Sequence, residues 1–237
     1  MIDIHTHILP EMDDGSSNVE ESIKMLGMLS EQGVDTIVAT PHFYIDKAEP
    51  AEFLQRRNEC FKKLSDGICK IDNLPKIALG AEVQFYSDLS SFDRIEEFCI
   101  GGTNYILIEM PFFPWNGYTY QTLNHLSMSR RIIPVIAHLE RYLDFINEKE
   151  VLLKLKEAGA LVQINADFII DRTTRRKALS LIKQDCVSFL GSDCHNITSR
   201  PPNMGEAADI IRKKLGDRGF EALRYREEKL KDSLVVY

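Results

Sequence analysis

The chain has 237 residues, of which 44% are hydrophobic and 27% are charged, as in a globular protein that buries a core without disulfide bonds. Its formal net charge of −7 argues against binding to a nucleic-acid phosphate backbone, so no nucleic-acid partner is expected. No apolar run reaches the roughly 20 residues of a membrane span, and five cysteines without a C-x-x-C pair indicate reduced thiols and a cytoplasmic location.

Short apolar runs and helical patterns alternate along the whole chain. Continuously apolar runs are typical of strands buried on both faces, and seven occur, at residues 1–4, 36–39, 76–79, 105–108, 132–137, 161–164 and 187–190. Helical patterns separate and follow them, at residues 19–32, 51–65, 119–130, 147–158, 173–184, 203–215 and 219–231. Seven strand–helix units predict an α/β fold of parallel strands, and we expect residues 1–237 to form a single barrel-like domain.

Histidines and carboxylates follow six of the seven predicted strands. In chain order they are His5 and His7 with Asp13 and Asp14 after them, then His42, Glu82, Glu109, His138, and Asp193 with His195. The carboxyl ends of parallel strands meet at one face, so we expect these side chains to converge there. The sixth histidine, His125, lies within a predicted helix and is expected to be structural.

Each of these residues also has a structural interpretation when taken alone: a hydrogen-bonded histidine, a turn residue such as Asp14, or a salt-bridged glutamate. Burying imidazoles and carboxylates together without a cation would be costly, however, so the joint pattern predicts a metal site. Ligand sets without thiolates favour Mn, Fe, Zn or Co over a structural zinc site. The ligands are too many for one ion, which predicts a cluster of two or three.

The charge of such a cluster favours a phosphate substrate. Three divalent ions (+6) with four carboxylates (−4) leave +2, which matches a phosphate monoester dianion, and the four carboxylates are Asp14, Glu82, Glu109 and Asp193. Metal clusters of this kind stabilise both the attacking and the leaving oxygen at phosphorus. Arg141 and Arg200 follow two of the candidate ligands closely, where they would either bind phosphate oxygens or form surface ion pairs.

These motifs resemble those of the polymerase-and-histidinol-phosphatase superfamily, and most of all its bacterial manganese-dependent protein-tyrosine phosphatases of capsule and exopolysaccharide synthesis. The resemblance runs from Met1 to the region of Arg200. It rests on seven ordered motifs, which are His5-Thr6-His7, Asp13-Asp14-Gly15, Thr40-Pro41-His42, Gly80-Ala81-Glu82, Ile108-Glu109, Ala137-His138-Leu139-Glu140-Arg141-Tyr142 and Ser192-Asp193-Cys194-His195-Asn196. Leu139 and Cys194 depart from the pattern, since many relatives have Pro and Ala there, but neither is an expected ligand.

The resemblance implies a distorted seven-stranded (β/α) barrel with three divalent ions at the carboxyl ends of its strands. Manganese is the expected metal, with Fe, Zn, Co or Mg as alternatives. The resemblance implies one ligand set for each ion: His5, His7, Glu82 and Asp193 for the first, Glu82 (bridging), Glu109 and His138 for the second, and Asp14, His42 and His195 for the third. Arg141 and Arg200 match the arginines that contact phosphate in this family.

The implied activity is hydrolysis of phosphotyrosine on the tyrosine-rich tail of a cognate bacterial tyrosine kinase. A metal-bound hydroxide would attack phosphorus, and homo-oligomerisation stays open. The alternatives are a histidinol-phosphate phosphatase, another phosphoesterase of the superfamily such as a 3′–5′ exonuclease, and a non-enzymatic metal-binding regulator. Cys194 and Arg200 also fit the C-x5-R pattern of cysteine-dependent phosphatases, but the loop between them lacks the glycines of a phosphate cradle.

An aromatic segment follows Glu109 at residues 110–120 and carries five aromatic residues. Its prolines and glycine predict a shaped surface loop beside the metal cluster. We expect Phe113 and Trp115 to stack on the ring of a phosphotyrosine, with Phe43 and Tyr44 closing the opposite side. The alternative is that these rings pack against a neighbouring helix or a second subunit.

Overall fold

Short strands, all paired in parallel, form the sheet at the centre of the protein. The computed structural model describes residues 1–237, apart from the side chains of residues 217–219 and 222. The strands are β1 (Ile2–Thr6), β2 (Thr36–Ala39), β3 (His42–Phe43), β4 (Lys76–Leu79), β5 (Glu82–Gln84), β6 (Tyr105–Glu109), β7 (Ile133–Ile136), β8 (Leu161–Asn165) and β9 (Phe189–Gly191). Each of the seven predicted runs overlaps one of them.

Two of the predicted strands are bent, which is why nine strands occur where seven runs are predicted. β2 continues as β3 after an interruption at Thr40 and Pro41, and β4 continues as β5 after Gly80 and Ala81. The strand order is β1-β2-β4 before the bends and β3-β5-β6-β7-β8-β9 after them. A bridge between Thr6 and Cys194 connects β1 to the chain that leaves β9. The sheet therefore curls into a distorted barrel of seven strands, and the predicted architecture is confirmed.

Helices connect the strands and pack on their outer side. They are α1 (Val19–Glu31), α2 (Pro50–Ile68), α3 (Gly117–Ser129), α4 (Glu148–Glu157), α5 (Ala166–Ile170), α6 (Arg175–Lys183) and α7 (Met204–Lys231). The Asn18 side chain caps α1 by accepting from the Glu21 N–H. α7 bends at Gly216, where φ is 69°, so it contains both helices predicted near its ends, although part of the second lies outside the described side chains. The short helix α5 is not predicted, because it follows β8 without a break.

Two apolar clusters stabilise the barrel, one between the strands and the helices and one inside. The inner cluster contains residues of six strands together with Leu230 of α7. Beyond α7, the last residue Tyr237 exchanges two backbone hydrogen bonds with Ile77 of β4, at 2.9 and 3.2 Å. The end of α7 and the C-terminal residues thus cover the amino-terminal end of the barrel. No helix among the described residues has the length and apolar character to cross a membrane.

Substitution of Leu230 tests this closure. Leu230 is 1% exposed inside the barrel, and Leu230→Ala should lower the free energy of unfolding by about 2–5 kcal/mol because it leaves a cavity. The matched control is Leu153→Ala on α4, since Leu153 is 58% exposed and its loss should cost less than about 0.5 kcal/mol. Urea denaturation measures both. Equal effects of the two substitutions would show that α7 does not close the barrel.

Candidate metal centre

The structure brings all nine predicted metal ligands together at the carboxyl ends of the strands. Their nitrogen and oxygen atoms form four overlapping groups, and within each group one such atom from every residue lies within 4.8 Å of the others. The groups are His5, His7 and Asp193; His5, Glu82 and His138; His42, Glu82 and Glu109; and His7, Asp14, His42 and His195. His125 lies apart from them, exposed on α3.

The deepest group is built on β1 and the end of β9. The Nε2 atoms of His5 and His7 are 3.1 Å apart, and they lie 3.5 and 3.4 Å from Oδ1 of Asp193. Ligands that bind one ion at 2.0–2.2 Å lie about 3.0–3.5 Å from each other in octahedral or tetrahedral coordination. The observed separations therefore match the space around a single divalent cation.

Glu82 lies at the centre of the site and faces histidines from three strands. Its Oε1 is 2.7 Å from His138 Nε2, and its Oε2 is 3.1 Å from His5 Nε2 and 3.0 Å from His42 Nδ1. Burial would raise the pKa of Glu82, but the neighbouring histidines hold it well below its usual range. β3 and β5 pair His42 directly with Glu82. The two oxygens thus point in different directions, as a carboxylate that bridges two ions requires.

The outermost group surrounds Asp14. Its Oδ1 lies 3.5 Å from His42 Nε2 and 3.4 Å from His195 Nε2, and its side chain is 63% exposed. Glu109, at the end of β6, is half-buried, and burial together with the charge of Glu82 raises its pKa. The site thus runs from a fully buried floor at His5 to an open edge at Asp14, where a substrate would enter.

Hydrogen bonds turn two of the imidazoles so that Nε2 faces the centre. His7 Nδ1 is 2.7 Å from Oδ2 of Asp13, and His195 Nδ1 is 2.9 Å from the Asp193 carbonyl oxygen. Both partners accept only, so each Nδ1 donates a hydrogen bond, and in the neutral imidazole each Nε2 keeps a lone pair for an ion. Asp13 is not among the predicted ligands, and the signal that points to it is that a ligating histidine needs an acceptor for its second nitrogen.

Unpaired polar atoms supply an independent test of whether cations fit this site. Glu82 Oε2, His42 Nδ1 and His195 Nε2 are buried, and none of them has a partner in hydrogen-bonding geometry among the described side chains, although Glu82 Oε2 and His42 Nδ1 lie 3.0 Å apart. All three face the centre. Buried polar atoms without partners are costly, and a divalent cation would satisfy these three. The residues present therefore fit a group of divalent ions, held by imidazole nitrogens and carboxylate oxygens.

The backbone is strained where it aims two of these side chains. His138 and Asp193 have φ values of 33° and 53°, in the left-handed region that costs non-glycine residues of order 1–3 kcal/mol. Close packing adds a constraint at Gly191, where a Cβ atom would lie 2.6 Å from the Cβ of His5. β9 can approach β1 this closely only with glycine at that position.

Arg141 and Arg200 converge on the open side of Asp193. The Arg141 guanidinium contacts Asp193 Oδ2, and Nη2 of Arg200 lies 2.8 Å from the same oxygen. Asn196 shapes the loop that carries Arg200 by accepting the backbone N–H groups of residues 198, 199 and 200 through its Oδ1. Each arginine is about one-third exposed and forms an ion pair with Asp193, a buried predicted metal ligand.

Cys194 lies between two candidate ligands but is completely buried. Its burial raises the pKa of the thiol far above the usual range. A nucleophilic cysteine needs an accessible thiolate, so the cysteine-dependent mechanism does not fit this structure.

The aromatic segment is divided between the surface and the core. Trp115 is only 9% exposed, packs against Tyr142 and Tyr120, and donates from Nε1 to the Pro111 carbonyl. The prediction that Trp115 stacks on a substrate ring is therefore corrected, because its large apolar indole is buried against Tyr142 and Tyr120 of α3, as the alternative expects. Phe113, at 57% exposure, is free to contact a substrate.

On the opposite side of the site, Phe43 is also a core residue, whereas Tyr44 borders the site. The ring of Tyr44 stacks on His42, with the two centroids 5.3 Å apart, and its hydroxyl donates to Glu109 Oε2 at 3.4 Å. A cavity of about 600 Å³ begins here and includes Lys47 and Arg56 in its lining. Asp14 and His42 also line this cavity, so it lies directly beside two predicted ligands.

Comparison with known proteins agrees with this geometry. A family model described as capsular polysaccharide synthesis, CpsB/CapC, matches residues 1–230. The chain is 35% identical over 231 residues to tyrosine-protein phosphatase CpsB of Streptococcus pneumoniae, with 91% of each protein covered. It is 33% identical over 222 residues to tyrosine-protein phosphatase YwqE of Bacillus subtilis, covering 91% of this chain and 85% of that protein.

Solved structures give the same relationship. One comes from a study of YwqE and CpsB, which it describes as unique metal-dependent tyrosine phosphatases. It matches with a TM-score of 0.82 and 30% identity, and the match covers 100% of this chain and 97% of that chain. A chain of an archaeal ribonuclease P matches with a TM-score of 0.58 at 15% identity, which shows a shared fold alone. The chain belongs to the CpsB/CapC family of capsular polysaccharide synthesis.

Proposed function

We propose that this protein is a metal-dependent protein-tyrosine phosphatase that hydrolyses phosphotyrosine monoesters. The observation that carries the proposal is the convergence of nine imidazole and carboxylate side chains beside two arginines that share one oxygen of Asp193. The relatives named tyrosine-protein phosphatases support the substrate class.

Three divalent ions, with manganese as the native metal, complete the proposed centre. The proposed ligand sets are His5, His7, Glu82 and Asp193 for the first ion, Glu82, Glu109 and His138 for the second, and Asp14, His42 and His195 for the third. When bound, such ions activate water for attack on phosphorus and neutralise phosphoryl oxygens. The groups support three positions. His5, His7 and Asp193 form one group of the first set, the two groups that contain Glu82 include the whole second set, and the group around Asp14 includes the whole third set.

The protein's own residues orient the phosphate. Arg141 and Arg200 already point toward the centre, and their exposed N–H groups donate to phosphoryl oxygens in the proposed complex. Hydrogen bonds from guanidinium to phosphate strengthen as charge builds on those oxygens in the transition state. Tyrosine, with a pKa of about 10, is a good leaving group. The reaction therefore needs no dedicated general acid.

The proposed physiological substrate is the tyrosine-rich tail of a cognate bacterial tyrosine kinase that controls capsule or exopolysaccharide synthesis. The family match and the exposed edge at Asp14 support a protein substrate, because a peptide chain can reach this edge. Histidinol phosphate, the alternative substrate, is not favoured by the relatives that the chain resembles.

The function is tested by comparing kcat/KM for a phosphotyrosine peptide and for histidinol phosphate. We expect the peptide to be preferred, EDTA to abolish hydrolysis, and Mn²⁺ to restore it. Cys194→Ser is the control, and it should keep most of the activity because the buried thiol takes no part. A preference for histidinol phosphate, or hydrolysis that survives metal removal, would contradict the proposal.

Glu82→Ala should be the most damaging single carboxylate substitution. Glu82 is the one carboxylate assigned to two ions, so its loss should lower the Mn²⁺ content and reduce turnover by at least about a hundredfold. The control is Glu157→Ala, which removes an exposed carboxylate on α4. Metal analysis and steady-state kinetics check both. Turnover like that of the wild type in Glu82→Ala would disprove the bridging role.

Phe113→Ala tests the aromatic contact. Loss of ring stacking should raise KM for a phosphotyrosine peptide by about twofold to tenfold, with a smaller effect on a small phosphate ester that cannot reach the loop. Trp115→Ala is the matched control, because it removes a buried ring and should lower stability without separating the two substrates. If Phe113→Ala changes KM equally for both substrates, the ring has no part in recognising the peptide.

A further inference from the structure

β8 is the strand that supplies no predicted ligand, yet its end lies beneath the metal centre. Its inner face carries Leu161, Gln163 and Asn165, while Val162 and Ile164 point into the outer apolar cluster. Gln163 and Asn165 are 0% and 6% exposed. Two buried amides cost free energy unless every polar atom is paired, so their partners show what they do.

Three hydrogen bonds connect these amides to the centre, and a fourth joins the two amides. Oε1 of Gln163 accepts from the His138 backbone N–H at 2.7 Å and lies 3.3 Å from His5 Nδ1. Nε2 of Gln163 donates to Asn165 Oδ1 at 2.8 Å, and Asn165 Nδ2 donates to Asp193 Oδ2 at 2.9 Å. The amides thus touch three predicted ligands that belong to two different ions.

The donor and the acceptor can be assigned for every hydrogen bond in this series. A backbone N–H can only donate, so the Gln163 atom next to His138 is the oxygen. An ionised carboxylate can only accept, so the Asn165 atom next to Asp193 is the nitrogen. Because Gln163 Oε1 is an acceptor, His5 Nδ1 must carry the proton. In the neutral imidazole, His5 Nε2 then has a free lone pair at the point where it faces Glu82 and Asp193.

The amides also hold backbone and carboxylate geometry that would otherwise be unstable. His138 has a φ of 33°, and its N–H is the group bound by Gln163. Asp193 also has a positive φ, and its Oδ2 is shared by Asn165 and the two arginines, so Oδ1 stays directed at the histidines. A Cβ atom at Gly191 would lie 2.9 Å from Gln163 Nε2, so glycine at this position leaves the space that the amide occupies.

We propose that Gln163, acting with Asn165, is a positioning residue of the metal centre. It selects the His5 tautomer that can bind an ion through Nε2, and it holds His138 and Asp193 in their binding orientations. Residues that orient metal ligands in this way typically change metal affinity by about 10- to 100-fold when they are replaced. The inference rests on the proposed metal centre.

Mn²⁺ binding to the metal-free full-length protein, measured by isothermal titration calorimetry, tests this role without relying on activity. Gln163→Leu removes the acceptor and the donor at similar volume, and it should raise the Kd for Mn²⁺ by about 10- to 100-fold. Gln163→Glu keeps an acceptor oxygen for His5 and His138 but loses the donor to Asn165, so its Kd should lie between those of Gln163→Leu and the wild type. The matched control is Ile164→Ala, equally buried on the other face of β8, which should lower stability but not Mn²⁺ affinity.

A wild-type Kd in folded Gln163→Leu would overturn the inference while leaving the metal centre intact. If Gln163→Leu does not fold, Asn165→Ala tests the same positioning role. Weaker Mn²⁺ binding by this variant would support the role of the two amides, and a wild-type Kd would refute it. Wild-type protein that binds no Mn²⁺, Zn²⁺ or Fe²⁺ would refute the metal centre itself, which separates the two failures.

Discussion

The geometry of this site depends on how the buried Glu82 carboxylate is neutralised. Nitrogens of three imidazoles from separate strands lie 2.7–3.1 Å from its two oxygens. Among the described side chains, however, none is oriented to form a hydrogen bond with Oε2. A carboxylate removed from water stays ionised only when cations or strong donors replace its hydration. Divalent ions fill that role in the centre that we propose. The same ions would explain why so many Nε2 atoms point at one another, an arrangement that neutral imidazoles alone would not favour.

The barrel supplies the rigidity that this arrangement needs. Its bent strands pair His42 with Glu82, and its closed end at α7 lies away from the site. Strain at His138 and Asp193, of order 1–3 kcal/mol each, is sustained because the apolar clusters and the polar contacts around the ligands hold the backbone in place. Asp13 and Gln163 accept hydrogen bonds from Nδ1 of His7 and His5, so these imidazoles are oriented before any ion binds. Preorganised ligands reduce the free-energy cost of ordering a site when the metal binds.

The seven strands and the convergence of the nine candidate ligands could be predicted, because a buried run followed by a histidine or carboxylate is visible in local sequence. The bends at Pro41 and Gly80 could not, since they depend on how neighbouring strands pair. The position of Trp115 depends on Tyr142, which is distant in the sequence, and an aromatic loop residue has the same local pattern whether it is buried or exposed. Gln163 was missed for a chemical reason: an amide is a poor metal ligand, and its importance lies in the atoms that it contacts.

Anomalous diffraction from crystals grown with Mn²⁺ tests the central claim most directly, because it locates each ion independently of any activity. The proposed centre predicts three manganese peaks in each chain, with Glu82 bridging two of them and His5 bound through Nε2. A single peak, or a Glu82 carboxylate that contacts no ion, would contradict it.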